Sequence, residues 1–329
     1  MSHAHDHVLI RAPNWIGDSV LSLGAVRDLR LAFPSARLEV LARPWVADLF
    51  RALPELDAVL AASGFRAETA ATRGFDLAVL LPNSFASALS AWAARVPERW
   101  GYGTDGRGAL LTRRCGVPPE VRGESQVYYY RAMLAGLGLR VSARPDTSLR
   151  CPEEWEARGA GLLSDGEGWI GLNPGAFFGG AKRWVPARYA AAGDALARET
   201  GSRVAILGGP AERALAHQIA ALMSTRPRVL SGETRLPDLV GVLRRLRLLV
   251  TNDSGPMHIA AALGTPVVAI FGPTDWRETG PTGERHRLVR GEAECSPCLL
   301  RECPIDHRCM TRVSVDRVLD AARDLLRAA

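Results

Sequence analysis

Short apolar runs alternate with segments of helical periodicity along most of this chain. VLIRA at 8–12 precedes a helical pattern at 19–33, and SRVAILGG at 202–209 precedes another at 211–223. Strands that alternate with helices in this way form βαβ units on a parallel sheet. The sequence therefore predicts an α/β fold.

The alternation stops once and then starts again. Residues 140–165 form a polar stretch with proline and glycine, after which the strand pattern returns with WIGLNPG at 169–175. A chain of 329 residues is long enough for two domains of ordinary α/β size. We expect a first domain at 1–160, a second at 161–312 and a C-terminal helix at 313–329. Packing of this helix back on the first domain is one option.

The net charge is mildly positive. Lys and Arg number 41 against 35 Asp and Glu, a net charge of +6, and no run of five like charges occurs. This pattern argues against a dedicated nucleic-acid binder, so we expect no nucleic-acid partner. It suits an anionic small molecule or an anionic membrane surface. Five arginines of the first half are candidates for contacts with lipid phosphates, with ordinary solvated surface as the alternative: Arg95, Arg99, Arg107, Arg113 and Arg114.

The sequence also bears on location. No stretch approaches 18 uninterrupted apolar residues, so we expect no segment that spans a bilayer. The N-terminal MSHAHDHVLIRAP lacks a basic segment followed by an apolar one, so no secretory signal is expected. We therefore expect a cytoplasmic protein.

Lys182 is the single lysine of the chain. A compact ammonium does a different chemical job from a planar guanidinium, which singles this residue out. Gly175, Gly179 and Gly180 precede it and allow the backbone to approach a ligand closely. The segment LNPGAFFGGAKRW at 172–184 therefore suits phosphate binding, with a flexible surface loop as the alternative. Glu212 follows the strand at 202–209 and suits either a ribose hydroxyl or the first turn of a helix.

The segment LLVTNDSGPMHIAAALGTPVVAIFGPTD at 248–275 is the most informative. A strand ends at Asn252, and Asp253 or Ser254 can cap the helix that follows. Capping alone does not explain Gly255, which removes side-chain bulk at the helix tip, or His258, one turn further on. A helix N-terminus at the carboxyl end of a parallel strand is a site for anions, so we expect a phosphate site here.

Two further features leave alternatives open. Asp18 follows the first strand and is either a helix N-cap or a general base for an acceptor hydroxyl. Four cysteines fall within fifteen positions near the C-terminus and are either a zinc site or reduced structural thiols. They are Cys295, Cys298, Cys303 and Cys309.

Four segments together resemble the heptosyltransferases of glycosyltransferase family 9. They are RAPNWIGDSVLSLGAVRDLR at 11–30, LLPNSFASALSAWAARVPERWGY at 80–102, NPGAFFGGAKRWVPARYA at 173–190 and TNDSGPMHIAAALGTPVVAIFGPT at 251–274. The resemblance runs through nearly the whole chain. The segment PNSFASA at 82–88 favours the members that act on heptose I.

The resemblance implies a GT-B architecture, in which two Rossmann-like domains face each other across a cleft. The first would bind the acceptor and the second the nucleotide sugar. It implies inverting, metal-independent transfer of heptose from ADP-L-glycero-D-manno-heptose to heptose I of the lipopolysaccharide inner core, without a cofactor. Such an acceptor implies peripheral contact with the cytoplasmic face of the inner membrane.

Matching positions carry the implied roles. Asp18 would be the general base, and Lys182 would bind the donor phosphates and assist catalysis. The other implied nucleotide-sugar contacts are Gly175, Glu212, Asn252, Asp253, Ser254, Gly255 and His258, and the implied acceptor contacts are Asn14, Asn83 and Ser84. The sequence has no Asp-x-Asp pair, the usual holder of a metal beside a sugar nucleotide, so fixed positive charge is expected to stabilise the departing ADP.

Three other functions stay open at this point. One is a different family-9 transferase, of heptosyltransferase I or III type. Another is a sugar-nucleotide epimerase of the same architecture, which would release an altered sugar without an acceptor. The third is a protein that only binds the nucleotide.

Overall fold

The computed structural model of this chain describes residues 5–163 and 168–328. The chain divides into two compact units between Thr147 and Ser148. Each unit is built on a parallel sheet flanked by helices, which confirms the predicted α/β class. Across the described residues, no helix is long and apolar enough to cross a membrane.

The first unit is a doubly wound sheet. Its described residues contain six strands that pair in parallel in the order β3-β2-β1-β4-β5-β6. The strands are β1 (His7–Arg11), β2 (Arg37–Ala42), β3 (Ala58–Ala61), β4 (Leu77–Leu80), β5 (Glu98–Tyr102) and β6 (Arg113–Cys115). The helices are α1 (Ile16–Leu21), α2 (Leu23–Ala32), α3 (Pro44–Arg51), α4 (Phe65–Ala71), α5 (Phe85–Ala93) and α6 (Gln126–Gly136).

The second unit repeats this plan. Its described residues form six strands that pair in parallel in the order β12-β11-β10-β7-β8-β9. The strands are β7 (Trp169–Asn173), β8 (Arg203–Ile206), β9 (Arg228–Val229), β10 (Leu246–Asn252), β11 (Val267–Phe271) and β12 (His286–Arg290). The helices are α7 (Glu153–Leu162), α8 (Pro186–Thr200), α9 (Arg213–Leu222), α10 (Leu236–Arg245), α11 (Gly255–Ala262), α12 (Trp276–Thr279), α13 (Arg308–Thr311) and α14 (Val315–Arg327).

Both sheets are covered on their two faces. Successive residues of β1, Val8, Leu9 and Ile10, are all buried, as expected when helices lie on both sides of a strand. In each sheet the chain order reverses at one place, between β1 and β4 and between β7 and β10. In open α/β sheets, ligands bind at the carboxyl ends of the strands beside such a reversal.

The stretch at 140–165 is not a plain linker, because α7 forms within it. Gly159 of α7 and Gly241 of α10 let the two helices touch backbone to backbone. A Cβ added at Gly241 would lie 1.8 Å from the carbonyl oxygen of Trp155. Since α7 packs on α10, it belongs to the second unit, and the boundary lies at 147/148 rather than at 160. Residues 164–167 of the stretch lie outside the described residues.

The C-terminal helix α14 completes the second unit. Val318, Leu319, Ala322 and Leu325 from its apolar stripe are buried in the core that also contains residues of β7, β8, β10 and β11. The predicted C-terminal helix is therefore present, and its apolar stripe packs on the second unit. The expectation that this helix returns to the first domain does not hold for these side chains.

Candidate functional site

Asn252, the last residue of β10, fixes the loop that follows β7. It is fully buried, and its side-chain oxygen accepts hydrogen bonds from the Tyr189 hydroxyl (2.9 Å) and the Trp184 backbone N–H (3.1 Å). Its side-chain nitrogen donates to the carbonyl of Pro174 (2.7 Å). The amide thus joins the carboxyl ends of β7 and β10, the reversal point of the second sheet.

The N-terminus of α11 lies at the same place and is not capped as expected. Ser254 occupies the N-cap position but makes no capping hydrogen bond to the helix. Its hydroxyl instead accepts from the side-chain nitrogen of Asn173, at 2.8 Å. Asp253 does not cap the helix either, since its carboxylate oxygen accepts from Lys182. Pro256 has no N–H, and the N–H of Met257 donates to the carbonyl of Ser254 at 3.1 Å. The backbone N–H of Gly255, at the start of a helix without a side-chain cap, is therefore the group that suits an anion here.

Lys182 lies beside this helix tip. It ends the 3₁₀ turn Gly180–Lys182, and its Nζ donates to Oδ2 of Asp253 at 2.6 Å. Thr274 donates its hydroxyl to the same oxygen, at 2.7 Å. The Lys182 ammonium also lies over the ring of Phe178, 4.9 Å from its centroid. Because an ammonium carries three N–H donors, the ion pair with Asp253 orients Lys182 and leaves donors for a second anion.

His258 is buried one turn into α11. Burial lowers its pKa to about 4, with the charge of Asp253 opposing this shift and that of Lys182 adding to it. Among the described residues its Nδ1 has no hydrogen-bond partner. The imidazole is therefore neutral at pH 7, and it offers a nitrogen without adding charge near Lys182.

The lowered pKa of His258 predicts a pH dependence of stability. The unfolded chain takes up this proton near the ordinary pKa of 6.5 and the folded chain near 4, so stability is lost as the pH falls between these values. The loss amounts to about 3 kcal/mol at the lower end. In His258→Asn we expect a flatter decline of the free energy of unfolding between pH 6.5 and pH 4 in chemical denaturation. An identical decline in both proteins would contradict this.

Glu212 approaches the loop after β7 from the neighbouring strand. Its Oε2 accepts from the backbone N–H of Gly209 at 2.8 Å, and it makes no capping hydrogen bond to α9. A Cβ added at Gly175 would lie 1.8 Å from Oε1 of Glu212. Glycine at 175 thus makes room for this carboxylate at the carboxyl end of β7.

In the first unit, Asp18 lies in the first turn of α1. The helix begins at Ile16 with Trp15 at the N-cap position, so the interpretation of Asp18 as an N-cap is wrong. The helix begins three residues earlier than that interpretation requires, at Ile16 rather than at Ser19. Burial raises the pKa of Tyr130 well above its ordinary value, and the charge of Asp18 contributes to the shift. Asp18 therefore lies near a buried tyrosine. It follows β1, which is one of the two strands at the reversal of the first sheet.

Asn14 is also placed after β1. Its side-chain oxygen accepts hydrogen bonds from the guanidinium groups of Arg11 (2.8 Å) and Arg43 (3.2 Å). Its carbonyl accepts from the indole N–H of Trp45 (2.8 Å). Asn14 thus links the loops after β1 and β2, and its contact with an acceptor stays a prediction.

Asn83 and Ser84 follow β4, and their side chains make different hydrogen bonds. Ser84 caps α5, because its hydroxyl accepts from the backbone N–H of Ser87 at 3.4 Å. Asn83 donates to the hydroxyl of Tyr129 at 2.6 Å. Its buried Oδ1 has no hydrogen-bond partner in the described part of the chain. Asn83 is therefore better placed than Ser84 to receive a hydroxyl of a ligand.

Arg107 does not face lipid phosphates, contrary to expectation. It is fully buried, and its guanidinium donates to the carbonyl of Tyr102 (2.8 Å) and the hydroxyl of Ser87 (3.2 Å). Burial lowers its pKa to about 10. Arg107 therefore holds backbone carbonyls together inside the first unit, whereas Arg95 and Arg114 are exposed.

The four clustered cysteines are free thiols in this structure. Burial, followed by the proximity of the other three thiols, raises the pKa of Cys309 to about 11. Within residues 5–163 and 168–328, no group of three or more His, Cys, Asp or Glu side chains could hold a metal ion. The zinc interpretation of Cys295, Cys298, Cys303 and Cys309 thus lacks the required ligand geometry.

Sequence reasoning missed Thr274 and Thr279. Both hydroxyls donate to Oδ2 of Asp253, at 2.7 and 3.5 Å. Thr274 lies three residues after the end of β11, in the segment FGPTD, so the rule that ligands bind at the carboxyl ends of strands could have found it. Tyr189 was missed as well, because nothing in a helical pattern indicates that its hydroxyl reaches Asn252.

Comparison with known proteins identifies the family of this chain. The model of glycosyltransferase family 9 (heptosyltransferase) matches residues 67–308. Lipopolysaccharide heptosyltransferase 2 of Escherichia coli strain K12 is 31% identical over 306 residues, which cover 86% of this chain and 87% of that protein.

Solved structures point the same way. The structure of the E. coli ADP-heptose lipopolysaccharide heptosyltransferase II has a TM-score of 0.85 at 29% identity and covers 98% of this chain and 99% of its own. A family 9 glycosyl transferase from Veillonella parvula has a TM-score of 0.87 at 21% identity, with coverage of 100% and 99%, and supports the fold. The chain belongs to glycosyltransferase family 9, the heptosyltransferases.

Proposed function

We propose that this enzyme transfers heptose from ADP-heptose to heptose I of the lipopolysaccharide inner core. The observation that carries the proposal is the meeting of Lys182 with the uncapped tip of α11 at the reversal of the second sheet. The Lys182 ammonium, the Gly255 N–H and the positive end of the helix dipole together suit a diphosphate. The names of the relatives, lipopolysaccharide and lipooligosaccharide heptosyltransferase 2, supply the sugar and the acceptor class.

In the proposed donor site, positive charge stabilises the departing ADP. Negative charge grows on the diphosphate as its bond to the anomeric carbon breaks. Lys182 and the backbone N–H of Gly255 are fixed before the reaction, so they need little reorganisation. Asp253 and Thr274 hold the ammonium in place, and Glu212 is placed for a ribose hydroxyl.

Asp18 is the proposed general base. Its carboxylate takes the proton of the acceptor hydroxyl, whose oxygen attacks the anomeric carbon from the face opposite ADP. The new glycosidic bond forms as the bond to the phosphate oxygen breaks, and the electron pair leaves with ADP. This single displacement inverts the configuration. Asn14, Asn83 and Ser84 are proposed acceptor contacts.

The proposed acceptor is a glycolipid, so we also propose that the enzyme works at the cytoplasmic face of the inner membrane. The mildly positive net charge of +6 favours such an anionic surface. Arg95 and Arg114 are exposed in the first unit and could contribute to this contact.

The test is transfer by purified protein with ADP-heptose and defined acceptors. We expect ADP release and a heptosylated product with an acceptor that ends in heptose I, and neither with an acceptor that lacks heptose. A metal chelator should leave the rate unchanged. Transfer only to the heptose-free acceptor would assign the chain to the type I activity. Altered free sugar in the absence of any acceptor would support an epimerase instead.

A further inference from the structure

The cysteine-rich segment, residues 291–311, packs against two loops of the proposed donor site. One is the loop after β11, which carries Thr274. The other is the loop that ends at Lys182. This segment carries Cys295, Cys298, Cys303 and Cys309, and the proposed reaction gives it no role.

The first contact is with the loop after β11. The backbone N–H groups of Cys298 and Leu299 both donate to the carbonyl of Pro273, at 3.0 and 2.8 Å. Ser296 donates its hydroxyl to the carbonyl of Gly272, at 2.5 Å. These bonds anchor the segment next to Thr274, which in turn bonds to Asp253.

The second contact is with the turn that presents Lys182. The backbone N–H of Ala181 donates to the carbonyl of Arg301 (2.9 Å), and that of Gly180 donates to Oε1 of Glu302 (2.9 Å). The ring Nε2 of His307 bonds to the carbonyl of Ala181, at 2.6 Å. Three successive backbone groups before Lys182 are thus held by residues about 120 positions away in sequence.

Shape restricts this turn as well. A Cβ added at Gly179 would lie 2.2 Å from the carbonyl oxygen of Arg301, so the two backbones are in direct contact. His307 is itself fixed, because its backbone N–H donates to the Sγ of Cys303 at 3.3 Å. Glycines cost the most conformational entropy to order, so a loop with Gly175, Gly179 and Gly180 needs outside contacts to hold one shape.

We propose that Glu302 and His307 are positioning residues for Lys182. The inference rests on the proposed role of Lys182 in binding the donor diphosphate. A lysine side chain is flexible, so its ammonium meets the diphosphate only when the backbone below it is fixed. Glu302 and His307 supply that support without touching the donor.

Glu302→Ala is the first test, with Glu292→Ala as its control. Glu292 is an exposed acid of the same segment. We expect Glu302→Ala to raise the KM for ADP-heptose and the Kd for ADP by about tenfold, with the KM for the acceptor unchanged. Glu302→Gln keeps an oxygen that accepts from Gly180 and should recover most of this loss. Equal constants for Glu302→Ala and Glu292→Ala would overturn the proposal.

A double-mutant cycle on the Kd for ADP separates positioning from general structural support. If Glu302 acts through Lys182, Glu302→Ala adds little to the Kd of Lys182→Ala. A full tenfold effect in that background would overturn the proposal. If Glu302→Ala proves too unstable to purify, His307→Ala tests the other support in the same cycle. If the proposed donor site itself is wrong, the result is different, because Lys182→Ala alone will then leave the Kd for ADP unchanged.

Discussion

Lys182→Ala is expected to lower kcat/KM for heptose transfer by about 10²–10³-fold. The substitution removes a positive charge that is fixed next to the helix tip before the reaction begins. Loss of one such preorganised donor typically raises the barrier by about 2.7–4 kcal/mol. Steady-state rates at varied ADP-heptose concentration would measure the effect.

This prediction needs a control for folding, because the Lys182–Asp253 pair is nearly buried, with side-chain exposures of 12% and 5%. Removal of one partner leaves the other charge without compensation, which is destabilising. Lys182→Gln keeps an N–H donor for Asp253 while it removes the charge. We expect this variant to lose turnover as Lys182→Ala does, with a smaller drop in Tm. Near-normal turnover in a folded Lys182→Gln protein would exclude the ammonium from the mechanism.

Asp18→Asn is expected to reduce transfer by about 10²–10⁴-fold, the usual contribution of a general base. Asparagine has nearly the same shape but cannot take the acceptor proton at neutral pH. Because Asp18 lies in the first unit and the proposed nucleotide contacts in the second, the Kd for ADP should stay the same. Calorimetry with ADP and single-turnover transfer would measure the two quantities separately.

A different outcome for Asp18→Asn would reassign the residue. If ADP binding and Tm fell together with transfer, Asp18 would be a structural residue of α1. Asp28→Asn is not a suitable control, since Asp28 is buried in an ion pair with Arg131. Asp48→Asn is suitable, because within residues 5–163 and 168–328 Asp48 pairs only with its helical neighbour Arg51.

Much of the fold follows from local pattern. The apolar runs at 8–12 and 202–209 correspond to β1 and β8, because a strand covered on both faces needs continuous apolar residues. The helix α7 was hidden in a polar stretch. It buries little besides Trp155 and Gly159, and its stability depends on contact with α10, which no local pattern reports.

The candidate site, like the fold, could be predicted only where local sequence pattern determines it. Asn252, Asp253 and Ser254 could be found because they follow a strand directly, where ligands of parallel sheets bind. The assignment of Asp253 or Ser254 as a helix cap failed, since Lys182 and Asn173 compete for those oxygens from distant positions. Contacts between residues 71 and 81 positions apart decide which of several chemically suitable partners these side chains take.

The backbone contact between Gly159 and Gly241 limits which substitutions the chain can accept at these two positions. Gly201 and Gly264 have positive φ and end helices, where asparagine is a tolerable replacement. At Gly159 and Gly241 an added Cβ would lie 2.2 Å or less from a backbone atom of the other helix. A backbone cannot move aside by changing rotamer, as a side chain can. Even alanine is therefore too large, and homologues with bulkier residues there must separate the two helices.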